Sequence, residues 1–113
     1  MKTFILLTKL SGKSALLTEI GAKLSDRPRS NRAWLDDIKK QCPEIQFKTH
    51  LALMGYWDSM HIYEAPDEEC AARVSIVTRA HGATQVETWL AIPYEKIARM
   101  AEEIEIPKTG DEK

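Results

Sequence analysis

A chain of 113 residues, 43% of them hydrophobic, is long enough to bury one ordinary core without metal or disulfide staples. Sixteen basic and seventeen acidic side chains leave a net charge of −1, which argues against a surface built to neutralise nucleic-acid phosphates and does little to oppose self-association. No apolar run approaches the roughly 18 residues that span a bilayer, and the apolar stretch Phe4–Leu7 is too short for a signal-peptide core. The expectation is a cytoplasmic protein with neither a membrane nor a nucleic-acid partner. Cys42 and Cys70 lack metal or redox spacing and fall on apolar helix stripes, so they are expected as reduced core thiols.

The first strand is predicted from Thr3 to Leu10, with Phe4, Leu6 and Leu10 on one face and Ile5 and Leu7 on the other, the two-sided pattern of a central strand. Leu16, Leu17, Ile20 and Leu24 recur at helical spacing and predict a short helix over 13–24. Pro28 cannot continue it. Ser30 or Asn31 can cap a second helix whose stripe is Trp34, Leu35, Ile38 and Cys42, and Pro43 stops it.

A half-buried strand follows from Ile45 to Met54, where Ile45, Phe47, Leu51 and Leu53 alternate with Gln46, Lys48, His50 and Ala52. After a turn at Gly55–Asp58 the third strand, Ser59 to Glu64, carries Met60 and Ile62 on one face and Ser59, His61 and Tyr63 on the other. Matching the hydrophobic faces sets Leu53 opposite Met60, Leu51 opposite Ile62, His50 opposite Tyr63 and Ala52 opposite His61. Asp67 then caps a helix with Cys70, Val74, Val77 and Ala80 on its apolar stripe, ended by Gly82. The fourth strand, Thr84 to Ile92, turns Val86, Thr88, Leu90 and Ile92 one way and Gln85, Glu87, Trp89 and Ala91 the other. Pro93 opens a last helix carrying Ile97, Met100, Ala101 and Ile104. Residues 1–106 read as a single domain and 107–113 as a polar tail.

This order predicts an α+β fold: a ferredoxin-like βαββαβ four-stranded antiparallel sheet with helices on one face, plus an extra N-terminal helical segment and a C-terminal helix. On this reading the bare sheet face carries Lys48, His50, His61, Tyr63, Glu87 and Trp89, a mixed patch that a small monomer does not leave in water. Two-fold pairing, sheet against sheet, would bury it in a homodimer, a dimeric α+β barrel with an interior.

His50, His61, Tyr63, Glu87 and Trp89, with Trp57 from the turn, are the candidate residues for binding a small organic ligand on the open face, the imidazoles and phenol as hydrogen-bonding groups and the indoles as walls. Two histidines without close spacing are a weak metal signature, so no metal and no cofactor is expected. Ser11–Ser14 lacks the upstream glycine of a phosphate loop, no serine sits in a nucleophile elbow, and no catalytic residue or reaction is assigned. The competing reading is a non-catalytic assembly or regulatory module whose sheet face is a protein–protein interface.

Gly55-Tyr56-Trp57-Asp58, followed by Glu64-Ala65-Pro66-Asp67, resembles the signature of the GYD-domain family, with Trp57 where the family's tyrosine precedes the aspartate. Thr18-Glu19-Ile20-Gly21 and Gly82-Ala83-Thr84 extend the likeness, which covers about residues 3 to 95. The resemblance implies a ferredoxin-like fold of the kind that forms dimeric barrels, and it implies no chemistry. In physical terms its motif residues build a scaffold: Gly55 is expected to permit the turn, Asp58 to accept turn donors and Pro66-Asp67 to start a helix.

Overall fold

A computed structural model of the protein describes residues 1–9 and 32–104. In chain order these form β1 (Lys2–Lys9), α1 (32–41), β2 (Gln46–Ala52), β3 (Ser59–Ala65), α2 (Glu68–Ala80), β4 (Gln85–Ala91) and α3 (Tyr94–Glu103). The helix expected over 13–24, the caps at Ser30 and Asn31 and the polar tail lie outside the described residues. The strands make one antiparallel sheet in the order β2-β3-β1-β4, consistent with the ferredoxin-like arrangement, and β1 is central as its two apolar faces predict. No described helix is long and apolar enough to cross a membrane.

α1 and α2 cover one face of the sheet. Trp34, Ile38 and Cys42 from α1 and its end, and Cys70, Ala71 and Val74 from α2, close over Phe4, Leu6, Ile45, Tyr63 and Ala65. α2 begins as its sequence requires: the Asp67 carboxylate accepts from the backbone N–H of Cys70 at 2.9 Å, and Glu68 and Glu69 occupy the first turn, where the helix dipole favours acids. Gly82, at φ 103°, ends it in a conformation that side chains with a Cβ resist. Gly55 differs from expectation. It lies outside the left-handed region with open space around it, so its turn does not depend on glycine. That loop is held instead by backbone bonds, Asp58 N–H to Thr8 O and Leu53 N–H to Asp58 O, both 2.9 Å.

The cysteines also depart from expectation. Cys42 and Cys70 form a disulfide, with Cα atoms 5.6 Å apart. The two stripes on which they lie meet each other, because α1 and α2 run antiparallel across the same face: Trp34 Nε1–H donates to Thr78 Oγ1 at 3.0 Å at one end, and the cysteines meet at the other. His81, at the end of α2, reaches Asp37 of α1 at 2.8 Å. A separation of 28 residues hid this pairing from any reading of local spacing.

Register explains the remaining differences. The hairpin pairs Leu51 with Met60, Thr49 with Ile62, His50 with His61 and Phe47 with Tyr63, two residues displaced from the pairing expected near the turn. A bulge between Phe47 and Thr49 inserts Lys48, so Phe47 and His50 fall on the same side of the sheet rather than opposite sides. In β3 the faces are the reverse of the expected ones. Ser59, His61, Tyr63 and Ala65 are buried beneath the helices, while Met60 and Ile62 lie half-exposed on the open face. The hydrophobic pattern of β3 is ambiguous by itself, and the helix-covered side accepts its polar members because ring partners and hydrogen bonds await them there.

Candidate functional site

The six side chains singled out in the sequence occupy three places. His50, His61 and Tyr63 belong to the helix-covered face, Glu87 and Trp89 to the open face, and Trp57 to the β2–β3 loop. The first group forms a polar chain within an aromatic cluster. Nδ1 of His50 lies 2.8 Å from Nδ1 of His61, and Nε2 of His61 lies 2.9 Å from Ser59 Oγ, which hydrogen-bonds Thr8 Oγ1 in turn. The Trp34 ring packs 4.9 Å from that of His61, and Phe47 lies 4.9 Å from His50.

Two neutral imidazoles can share an Nδ1–Nδ1 contact only if one nitrogen carries the proton and the other is bare. The chain therefore has two consistent polarities. Either Ser59 donates to His61, which donates to His50, or His50 donates to His61, which donates to Ser59. In the first, His61 Nε2 is placed as a base on the Ser59 hydroxyl. Ser59 and Thr8 are themselves buried, however, at 8% and 4% exposure, so this polar chain ties β1, β3 and β2 together at one level of the sheet. Desolvation holds the His50 imidazole below its ordinary range, favouring the neutral ring that the contact needs.

Tyr63 was a candidate hydrogen-bonding group for a ligand, but its ring is fully buried and stacked 5.5 Å from Phe4. Among the described residues its hydroxyl has no hydrogen-bond partner, and burial pushes the phenol above its ordinary range. An unpartnered buried hydroxyl contributes a desolvation cost rather than a bond. Tyr63→Phe is therefore expected to leave stability unchanged or raise it by up to about 1 kcal/mol in a urea titration. A loss comparable to breaking a hydrogen bond would show that the phenol serves a partner.

On the open face, cross-strand pairing lines up two rows: Thr49, Ile62, Ile5 and Trp89 in one, Leu51, Met60, Leu7 and Glu87 in the next. Trp89 and Leu51 are 45% and 46% exposed, and the Trp89 indole N–H donates to Glu87 at 2.7 Å. α3 buries none of its residues, so its stripe of Ile97, Met100 and Ile104 faces outward as well.

At the end of the sheet where β4 begins, Trp57 joins a groove of about 530 Å³ with Tyr56, Arg79, Gln85 and Glu87. Sequence reading missed Tyr56 and Arg79 as site residues and treated Trp34 only as core. Ser59 was legible by alternation with His61, while Arg79 reaches the groove from α2, a proximity no local pattern carries. Among the described residues no group of three or more His, Cys, Asp or Glu side chains could hold a metal ion.

No curated protein matches the chain significantly. The family model of the GYD domain matches residues 4–101, a span that takes in most of β1, the Gly55–Asp58 loop, the helix start at Asp67 and most of α3. With the motif residues in place across nearly its whole length, the chain belongs to the GYD domain family.

Proposed function

We propose that the protein is an assembly module whose open sheet face and α3 stripe are covered by a second copy of the chain. The observation that carries this reading is the pair of cross-sheet rows, Thr49–Ile62–Ile5–Trp89 and Leu51–Met60–Leu7–Glu87, a mainly apolar face on which Leu51 and Trp89 are nearly half exposed and Ile5, Thr49, Met60 and Ile62 partly exposed around a buried Leu7. Patches of this kind on small proteins mark interaction sites. The same chain presents a second apolar surface on α3, and a net charge of −1 sets up little repulsion between copies, so two-fold pairing satisfies both surfaces with one partner.

The placement of His61 and Tyr63 beneath the helices favours the interface over a ligand pocket on this face, because it withdraws the polar groups that would orient a ligand there. Light scattering is expected to give a mass twice the 12.8 kDa of one chain. Ile62→Asp, which sets a charge in the middle of the first row, is expected to give the one-chain mass with an unchanged far-ultraviolet spectrum. A one-chain mass for the unaltered protein would overturn the proposal, as would an Ile62→Asp variant that stays dimeric.

A further inference from the structure

We infer that the groove between the Gly55–Asp58 loop and the start of β4 is a binding site for a small aromatic acid. It lies at the end of the sheet as an open groove of about 530 Å³ and shares only Glu87 with the apolar rows. Its aromatic wall is held in place before any ligand arrives. The Tyr56 hydroxyl donates to Gln85 at 2.6 Å, the Lys9 ammonium sits 4.3 Å from the Tyr56 ring centre and also donates to the Tyr56 carbonyl at 2.7 Å, and the Trp57 ring meets that of Tyr56 edge-on at 5.2 Å.

Arg79 also lines the groove and enters none of the described ion pairs; among the described residues its guanidinium donates to the Val86 carbonyl, at the long distance of 3.4 Å. A guanidinium offers five donors in a planar fork that matches a carboxylate bidentately, so most of its bonding capacity is unused by the described residues. The carboxylate among the described lining residues, Glu87, already accepts from Trp89. A fixed aromatic corner and a guanidinium outside the described ion pairs, lining one groove, select a ligand with a planar ring and an anionic group on the same small molecule. The ring stacks on the indole and phenol, and the carboxylate bonds Arg79.

Benzoate is the probe, with benzyl alcohol (ring without charge) and acetate (charge without ring) as comparators, followed through the three indole N–H signals in ¹H–¹⁵N spectra. Trp57→Phe assigns the Trp57 signal. Benzoate is expected to shift that signal saturably, and each comparator to bind at least about tenfold more weakly, as loss of a charge-assisted bond or of the stacking contact implies. Arg79→Gln, at an exposed position, is expected to lower benzoate affinity to that of benzyl alcohol while leaving the thermal transition in place. No saturable shift, equal binding of benzyl alcohol, or undiminished binding by Arg79→Gln would each overturn the assignment. The site does not rest on self-association, and Ile62→Asp is expected to keep the benzoate response.

Discussion

Reduction of the Cys42–Cys70 bridge is expected to lower unfolding stability by about 3.5 kcal/mol, the loop-closure entropy of a 28-residue separation. The bridge joins the end of α1 to the start of α2, and the chain between them contains the whole β2–β3 hairpin. Cutting it frees the unfolded chain to explore more conformations, while the folded chain keeps its packing. Both sulfurs are in the core, Cys42 fully buried and Cys70 at 8% exposure, so a replacement must also fill the space. Cys42→Ala/Cys70→Val removes the cross-link with apolar side chains and avoids burying hydroxyls. Urea midpoints of this variant and of the unaltered protein with and without dithiothreitol test the expectation. The variant and the reduced protein should agree within about 1 kcal/mol of each other, allowing for packing differences. If reduction leaves the midpoint in place, the bridge does not constrain the chain. The result also bears on location, because glutathione keeps cytoplasmic thiols reduced. A cytoplasmic protein would live with the lower of the two stabilities.

How much of this was legible in the residues depends on the range of the interaction that decides each feature. Local chemistry was readable. Asp67 caps α2, Gly82 ends it, Pro93 opens α3, and the two apolar faces of β1 announce a central strand. Val86 and Thr88 turn toward the helices as their alternation predicts, since they pair with Thr8 and Leu6. What failed was decided between strands. The pattern of β3 permits either face to be buried, and Met60 and Ile62 look the better core residues by composition alone. The choice is made by Phe4, Phe47 and Trp34, whose rings offer Tyr63 and His61 a packed aromatic environment, and by Ser59, which supplies a hydrogen bond two residues away on the same face. The bulge at Lys48 then brings His50 round to meet His61, and no period-2 reading anticipates an inserted residue. The sheet order and the open face were thus foreseeable, whereas the identity of the side chains on that face was not. An open sheet face was legible; the mainly apolar character of its cross-strand rows is the structural finding.

The His50–His61 pair should make stability fall in mild acid, and losing His61 should be costly at any pH. His61→Ala removes an imidazole that is 8% exposed and packed against Trp34, leaves a cavity, and strands Ser59 and His50 without their shared partner. Cavity and unpaired polar groups together are expected to cost about 2–4 kcal/mol in a urea titration at pH 7.5. His50→Ala, at an exposed position on the edge strand, should cost less, and the double variant should cost less than the sum of the two, because the groups share one hydrogen bond. The sign of the pH effect follows from His50. Its folded value is lowered from 6.5 by desolvation, so the unfolded chain binds the proton first as pH falls. The contribution is fully present above pH 6.5 and is lost as pH drops through the window down to the lowered folded value. Geometry acts in the same direction, since two protonated imidazoles would set N–H against N–H across 2.8 Å. Stability measured at pH 7.5 and 5.5 should therefore differ more in the unaltered protein than in His50→Ala. An equal difference in the two proteins would show that other groups carry the acid sensitivity and that the pair sits in the sheet without governing it.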